Sequence, residues 1–436
     1  MTADRRTFIA GATATAGAMA GGRAFALSGG AFPKRFLWGA ATAGHQVEGN
    51  NLASDIWLLE HVKPTMFTEP SGDAVNSFAL WPADLDIVRG LGLNAYRFSL
   101  EWARIEPEPG AFSLAMLNHY KRIVEGCHAR GLTPLVSFNH FTVPRWFAAR
   151  GGWTDPSSPE LFARFCDRAA RHLADGIGYA TTLNEPNAVA IMADVFPPQF
   201  LDTVRAMNGA AARACNSDRF RNAMVPDPAE IGTLQPNLIA AHRAGKAAIK
   251  AARGALPVGV TLAISDDEAV GASTLRDAKR ALFYAPWLEV AKADDFIGVQ
   301  NYARARWDGK AMLPPPAGAA LNAAGQEVYA PSLGNAVRYA HAATGVPVIV
   351  TEHGVNAEDD RIRAGFIPAA LAGLRDAIAE GVPVLGYVHW SLLDNFEWIF
   401  GYKYRFGLCS VDRTSFQRTP KPSARILGGI ARRNAL

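Results

Sequence analysis

The 436-residue sequence predicts an α/β fold in which eight strand–helix units follow one another along the chain. Two observations support this prediction: short, β-rich apolar segments recur, and segments with helical spacing of apolar residues lie between them. Several of the short segments are continuously apolar, as expected for strands that are covered on both faces. Eight such units are typical of either one closed (β/α)8 barrel or a doubly wound sheet.

The predicted strands are short runs rich in Val, Ile, Leu, Phe and Ala. They are Phe36–Ala41, Ala95–Leu100, Pro134–Phe138, Tyr179–Leu183, Val258–Ile264, Phe296–Val299, Val348–Thr351 and Leu385–His389. Apolar residues at helical spacing predict helices over Asp84–Leu91, Leu114–Arg130, Pro159–Leu173, Asn237–Ala252 and Pro368–Ile378. Three long connections are expected to form lids or pocket walls, at 187–230, 304–331 and 394–419. The first of these shows little regular apolar pattern.

Polar side chains follow nearly every predicted strand, and their distribution distinguishes the two architectures. They are Gln46, Arg97, Asn139–His140, Asn184–Glu185, Asn301–Tyr302, Glu352 and Trp390. A doubly wound sheet would concentrate its ligand contacts at one switch point, and a glycine-rich phosphate loop would be expected there. The chain has neither a GxGxxG nor a Walker-type loop. The sequence therefore predicts a single (β/α)8 TIM barrel with extended βα loops over residues 27–436.

Composition and motif searches exclude several functional classes. Hydrophobic residues make up 49% of the chain and charged residues 19%, which excludes a disordered protein. A net charge of +4 without a long basic run provides no electrostatic basis for nucleic-acid binding. The four cysteines are widely spaced, and no CxxC, HExxH or GxSxG motif occurs. We therefore expect no metal, no cofactor and no serine nucleophile.

The first 26 residues are typical of a twin-arginine export signal. Arg5 and Arg6 precede a mildly apolar run, and Ala24-Phe25-Ala26 has the form of a signal-peptidase site. The apolar run is too short for a good membrane span. We expect a periplasmic or secreted protein with no stable membrane anchor after processing. The alternative is a disordered basic tail.

Two glutamates lie at the ends of predicted strands, where a buried carboxylate is costly without partners. Glu185 lies in TLNEPN, after the fourth strand, and Glu352 lies in VTEHG, after the seventh. On a barrel both strand ends open onto the same mouth. Two facing carboxylates, one neutral and one ionised, are what cleavage of a glycosidic bond requires. Alternatively, each glutamate caps a following helix.

Other strand-end residues fit a sugar site. Arg97 is placed to hold Glu352 ionised and Tyr302 to donate a hydrogen bond to it. Asn301, which precedes Tyr302, is predicted to be a further supporting residue of the site. Amide, imidazole, carboxylate and indole groups suited to sugar hydroxyls and to the apolar face of a sugar ring come from Gln46, His140, Asn184, Glu397 and Trp390.

With these residues, the sequence resembles glycoside hydrolase family 1, the β-glucosidase type. Six stretches support the resemblance: FLWGAATAGHQVEG (36–49), NAYRFSLEWARIEP (94–107), NHFTVPRWF (139–147), TLNEPN (182–187), VIVTEHGV (348–355) and WSLLDNFEWIFGYKYRFGLCSVD (390–412). The resemblance implies a retaining, exo-acting β-glycosidase of the single-barrel fold. Glu352 would be the nucleophile and Glu185 the acid and then the base.

The resemblance also implies a set of sugar-binding residues. They are Gln46, His140, Asn184, Trp390, Glu397 and Trp398. Glu397 would repel a phosphorylated sugar, which favours an unmodified gluco- or galacto-configured one. A small-molecule glycoside is the expected partner. Two alternatives stay open, a transglycosylase that uses the same intermediate and a catalytically silent sugar-binding barrel.

Four positions depart from the family pattern. His353 replaces the usual Asn after the nucleophile, and Phe141 replaces a larger aromatic residue. Gln326 stands where Trp is common, and the glycine-rich sequence usually found after NEP is missing. These departures concern the leaving-group side of the site more than the sugar side.

Overall fold

The computed structural model describes residues 31–436, and in it eight parallel strands close into a barrel. The strands are Leu37–Ala41, Ala95–Ser99, Thr133–Asn139, Tyr179–Asn184, Val258–Ala263, Ile297–Asn301, Val348–His353 and Val384–Trp390. We refer to them as barrel strands one to eight. Each neighbours the next in sequence, and strand one pairs with strand eight, with Leu37 opposite Gly386 and Ala41 opposite Trp390. The predicted barrel and all eight strands are confirmed, each end lying within two residues of the prediction.

Helices surround the barrel. The longer ones are Ser77–Leu91, Leu114–Ala129, Ser158–Leu173, Pro198–Ala214, Ile231–Ala252, Ser332–Thr344, Asp360–Ala379 and Pro422–Arg433. The shorter ones are Gly44–Val47, Asp55–His61, Trp102–Ile105, Arg145–Ala149, Ala188–Val195, Arg276–Phe283 and Ala285–Ala291. All five predicted helices are present. Three of them begin several residues earlier than predicted. Each of these three contains a proline near the predicted start, namely Pro82, Pro236 or Pro368. A proline costs a helix one backbone hydrogen bond, and tertiary packing offsets that cost here.

The connection 187–230 differs from its prediction as an irregular loop. It contains the helices Ala188–Val195 and Pro198–Ala214. Leu201, Val204, Met207 and Ala211 are buried along one face of the second helix, at spacings of three and four. A weak helical signal was therefore present, interrupted by Pro197-Pro198.

The other two long connections carry small sheets. Arg304–Trp307 pairs with Asp266–Ala269 and with Met312–Leu313 in a three-stranded sheet after barrel strands five and six. After strand eight, Cys409–Val411 pairs with Arg418–Pro420. Both connections are rooted at the carboxyl end of the barrel, where βα loops form the walls of an active site.

Side chains alternate between the barrel interior and the layer under the helices. Ala95, Leu135, Phe296, Ile349 and Val388 belong to an inner cluster enclosed by the strands. Outward-facing residues join a larger core that includes Tyr96, Phe98, Phe138, Phe162 and Phe165. The inner cluster fills the barrel interior, as in other packed (β/α)8 cores. The polar site residues lie at the carboxyl end of the strands.

Within residues 31–436, no helix is both long and apolar enough to cross a membrane. The predicted export signal, residues 1–26, lies outside the described residues and stays a prediction.

Candidate active site

Irregular strand pairing precedes both glutamates. The pairing of strand four with strand five shifts register between Thr181 and Asn184. The pairing of strand seven with strand six shifts between Val350 and Glu352. An extra residue on one strand breaks the two-residue alternation of side chains and re-aims those that follow. These shifts allow Asn184 and Glu352 to meet Arg97 inside the barrel mouth.

Glu352 is held by two donors. One terminal nitrogen of Arg97 donates to Oε1 of Glu352, and the Tyr302 hydroxyl donates to Oε2 over 2.6 Å. Arg97 is 1% exposed and Glu352 is 4% exposed, so the ion pair lies almost entirely out of water. Charge-assisted hydrogen bonds of this kind orient a carboxylate and favour its ionised form. The structure thus brings both Arg97 and Tyr302 into contact with Glu352.

Glu185 lies in a different environment. Its backbone N–H donates to Thr261 O over 2.9 Å. Its φ is 45°, so the backbone turns into a left-handed conformation immediately after strand four ends. Among residues 31–436, no donor hydrogen-bonds to its carboxyl group. Burial raises the pKa of Glu185 to about 8, the negative charge of Glu352 adds to the rise, and Arg97 opposes it. This carboxyl is therefore protonated at neutral pH.

The two carboxyl groups differ in pKa because their hydrogen-bond and charge partners differ. Burial raises the pKa of Glu352 as well, but Arg97 and the Tyr302 hydrogen bond oppose the rise. Glu185 has no such hydrogen bonds and also experiences the charge of Glu352. In a coupled pair, the first proton leaves the better-stabilised carboxylate. We assign the ionised state to Glu352 and the neutral state to Glu185.

Asn184 connects the glutamate pair to the rest of the pocket. Its Oδ1 accepts from Arg97 over 2.5 Å, from Gln300 Nε2 over 2.7 Å and from Thr261 Oγ1 over 3.2 Å. With its oxygen saturated, its amide nitrogen faces His140 Nε2 at 3.4 Å. Sequence reasoning missed Gln300, which lies one residue before the end of strand six and belongs to no motif that signalled it.

Parallel aromatic rings line one side of the site. His140 stacks on Trp390, with ring centroids 5.7 Å apart and 14° between planes, and on Trp398 at 6.3 Å and 12°. His45 also stacks on Trp398, at 5.8 Å and 3°. His45 is itself held by Glu60, through a 2.9 Å contact. It was not predicted as a site residue, although it immediately precedes Gln46.

Four predicted site residues have buried polar atoms without partners among the described residues. These atoms are Gln46 Oε1, Arg97 Nε, His140 Nδ1 and Glu397 Oε1. Gln46 uses its amide nitrogen on Phe396 O at 2.8 Å and on Asn395 Oδ1 at 3.1 Å, which fixes its orientation. Burial raises the pKa of Glu397 well above its ordinary value, and the nearby charge of Glu352 contributes. Buried polar atoms left unpaired in this way suit a ligand rich in hydroxyl groups.

Asn301 lies behind the pocket wall. Its side chain donates to Ile264 O over 2.9 Å and accepts from the Ser332 hydroxyl over 2.8 Å. It therefore anchors the end of strand six, immediately before Tyr302, and does not contact either glutamate.

The three single residues that depart from the family pattern lie in different surroundings. Phe141 packs edge-on against Trp398, with centroids 5.5 Å apart. Gln326 is exposed in a turn, where its Oε1 accepts from Asn322 over 3.1 Å. His353 is fully buried behind strand seven.

In the part of the chain that the structure describes, no group of three His, Cys, Asp or Glu residues is arranged to hold a metal ion.

These features define a class of protein. A (β/α)8 barrel that carries two glutamates of unequal acidity at its mouth, beside stacked aromatic rings and unpaired polar atoms, is a glycoside hydrolase. The sequence pattern of Glycosyl hydrolase family 1 matches residues 28–234 and 323–436, and the chain belongs to that family. It is an enzyme that acts on O-glycosyl bonds.

Known relatives resemble the chain over nearly its whole length. A β-glucosidase of Agrobacterium sp. is 30% identical over 447 residues, covering 92% of this chain and 95% of the relative. The apo structure of a β-glucosidase, 1317, has a TM-score of 0.88 and 43% identity, covering 91% of this chain and 98% of its own. The β-glycosidase BGL167 has the same TM-score with 45% identity, covering 93% and 98%.

Proposed function

We propose that the protein is an exo-acting, retaining β-glucosidase that removes terminal non-reducing β-D-glucosyl residues. The curated and solved relatives named above include two β-glucosidases, and they match nearly the whole barrel. One observation supports the mechanism most directly: Arg97 and Tyr302 both donate to Glu352, whereas Glu185 has a raised pKa. This asymmetry provides one ionised and one neutral carboxyl group, as a retaining glycosidase needs before its first step.

In the first step, Glu352 is the nucleophile. One of its oxygens bonds to the anomeric carbon while the bond from that carbon to the aglycone oxygen breaks. Glu185 gives its proton to the departing oxygen, so the aglycone leaves as a neutral alcohol. Arg97 and Tyr302 hold Glu352 in place, and the neutral state of Glu185 at pH 7 is the state that this step uses.

In the second step, Glu185 is a base. It takes a proton from a water molecule, whose oxygen attacks the same carbon and displaces the Glu352 carboxylate. Glu185 is returned to its protonated form and Glu352 to its ionised form. Two inversions at one carbon leave the product in the β configuration of the substrate.

The sugar is held by the unpaired atoms and the stacked rings. Gln46 and Glu397 offer acceptors for hydroxyl groups, and His140 and Asn184 contribute further polar atoms. Trp390 offers an aromatic face for the apolar side of the ring, and Trp398 completes the stack. The carboxyl group of Glu397 disfavours a phosphorylated sugar, because the phosphate charge would lie beside an acidic group in a poorly hydrated pocket.

The direct test is the stereochemistry of hydrolysis. Proton NMR of an aryl β-D-glucoside during early turnover should show β-D-glucose before mutarotation produces the α anomer. First release of α-D-glucose would contradict the double displacement. Sugar binding without turnover would instead support the silent sugar-binding barrel, and glucosyl transfer to an added alcohol would measure transglycosylation.

The two glutamate roles have opposite chemical signatures. With Glu352→Ala, azide can replace the missing nucleophile and should yield α-glucosyl azide from an activated aryl β-D-glucoside. With Glu185→Ala, the glycosyl-enzyme still forms from that substrate, and azide should yield β-glucosyl azide. Each variant is the control for the other. The β product from Glu352→Ala would refute the nucleophile assignment.

The N-terminal segment supports a proposal about location. We propose that residues 1–26 direct the rest of the chain, residues 27–436, to the periplasm or the medium, because Arg5-Arg6 and the A-x-A triplet have the pattern of a twin-arginine signal. In a bacterial host, activity should be recovered from the periplasmic or extracellular fraction. Replacing Arg5 and Arg6 with Lys should retain it in the cytoplasm. An unchanged distribution would contradict the proposal.

A further inference from the structure

We propose that Tyr387, together with His353 and His389, forms a clamp behind the barrel wall that positions Glu352 relative to Trp390. We call these three residues the clamp. In this role Tyr387 is a positioning residue, since its hydroxyl acts through its neighbours and does not reach the sugar. The inference rests on the proposed function, in which Glu352 is the nucleophile and Trp390 contacts the sugar.

The backbone around Glu352 lacks regular support from strand eight. Pairing between strands seven and eight runs from Val348 to Val350, which lies opposite Tyr387, and does not continue to Glu352. On the other side, the register with strand six shifts between Val350 and Glu352, after which Glu352 pairs with Gln300 and His353 with Asn301. The strand end that carries the nucleophile is therefore paired on one side only, and on the side of strand eight it depends on other contacts to hold its position.

The clamp lies at the place where this pairing stops. The Tyr387 hydroxyl lies 3.0 Å from His353 Nδ1 and 3.0 Å from His389 Nδ1. All three residues are 0% exposed. His353 follows Glu352 in the chain, and His389 precedes Trp390, so one hydroxyl connects the neighbours of two site residues on adjacent strands.

The chemistry of the clamp limits its proton arrangement. A phenolic hydroxyl has one proton, so Tyr387 can donate to at most one of the two imidazoles and accepts an N–H from at least one. At least one of the two histidines therefore carries its proton on Nδ1. Burial lowers the pKa of His353 to about 3 and that of His389 well below its ordinary value, so both rings stay neutral. A neutral network has no charge to desolvate and is suited to a structural role.

Packing makes the clamp rigid. The His353 ring stacks on Phe366, with centroids 4.9 Å apart and 13° between planes. Phe366 belongs to the helix Asp360–Ala379, which covers the barrel at this point. His353 is thus held by stacking on one side and by a hydrogen bond on the other. This accounts for a histidine at a position where the family pattern has asparagine.

The test uses Tyr387→Phe, which removes the hydroxyl and keeps the ring. The probe is 2,4-dinitrophenyl 2-deoxy-2-fluoro-β-D-glucoside, which traps the glycosyl-enzyme and has a leaving group that needs no proton from Glu185. A misplacement of about 1 Å can cost on the order of 100-fold in rate. For partial loosening we expect the inactivation rate constant to fall about tenfold, with the inhibitor dissociation constant within about twofold of wild type.

Tyr284→Phe is the matched control. Tyr284 is also buried, and its hydroxyl accepts the Ser265 N–H over 3.2 Å. This variant also loses a buried hydroxyl, with its effect on stability, but should leave the inactivation rate constant unchanged. An equal fall in both tyrosine variants would overturn the proposal, because it would reduce the effect to general destabilisation.

A double-mutant cycle tests whether the hydroxyl acts through His353. His353→Phe preserves the stacked ring, and the double variant with Tyr387→Phe should inactivate no more than about twofold slower than the slower single variant. Additive losses, or a Tyr387→Phe variant that inactivates at the wild-type rate, would overturn the clamp. If the wild-type enzyme is not labelled at Glu352 at all, the proposed function fails; labelling at Glu352 without a Tyr387 effect refutes the clamp alone.

Discussion

Replacing Tyr302 with Phe tests the electrostatics of the site through one atom. The Tyr302 hydroxyl donates to Glu352 Oε2 over 2.6 Å, and this hydrogen bond helps to lower the pKa of a carboxyl group that burial raises. The substitution keeps the aromatic ring, which packs edge-on against Phe406 at 5.8 Å. It therefore removes a donor with little change in packing.

The size of the effect follows from the charge of the acceptor. A hydrogen bond to an ionised group contributes about 1.5–3 kcal/mol. Because one pKa unit corresponds to about 1.4 kcal/mol, complete loss would raise the pKa of Glu352 by about one to two units. The neutral carboxyl also accepts a weaker hydrogen bond, so we expect a rise of about one unit, at the lower end. Arg97 remains beside Glu352 in this variant, and its positive charge continues to favour the ionised carboxylate.

The assay is the pH dependence of kcat/KM on an aryl β-D-glucoside. Attack requires ionised Glu352, so activity is lost as pH falls through its pKa, and a raised pKa moves this acid limb upward by about one pH unit. The alkaline limb, which depends on protonated Glu185, should not move and is the internal control. An acid limb at the wild-type position would refute the claim that Tyr302 helps to keep Glu352 ionised.

Three further predictions address other contacts. Glu185→Gln should remove the alkaline limb, which in the wild-type enzyme reflects loss of the Glu185 proton as pH rises through about 8. The check is kcat/KM on phenyl β-D-glucoside, whose leaving group needs that proton: the value should fall through this pH range in the wild type and stay low and flat in the variant. Arg97→Met should lower kcat/KM at least about 100-fold, because Glu352 is left buried without its cation; a smaller loss in a protein with wild-type circular dichroism would count against that role. Arg418→Met breaks a buried 2.8 Å ion pair with Asp84 and should lower the free energy of unfolding by about 3 kcal/mol, measured in urea.

Much of the site was predictable because strand ends are marked in the sequence. Apolar runs such as Val348–His353 end abruptly at Glu, Asn or Arg, and a barrel brings all such ends to one mouth. Arg97 and Tyr302 were expected to contact Glu352, and both do. Residues outside the quoted motifs, such as Gln300, carried no signal of their own, since one glutamine at a strand end is uninformative.

Helix starts and the long connection after strand four were harder to predict. Pro82, Pro236 and Pro368 resembled helix boundaries, yet each lies inside a helix because packing against the barrel offsets a lost hydrogen bond. The helix Pro198–Ala214 has many alanines, so its buried face is only weakly apolar. Local propensity alone does not determine such segments.

The sequence by itself determined the eight-strand barrel, the two glutamates and their family, because apolar periodicity and motif identity are local properties of the chain. Only the tertiary structure decided how these glutamates differ in acidity. The register shifts before Asn184 and Glu352, and the contacts of Arg97 with both, arise when distant strands pair. Electrostatic interactions depend on distance in space, and spacing along the chain does not specify that distance.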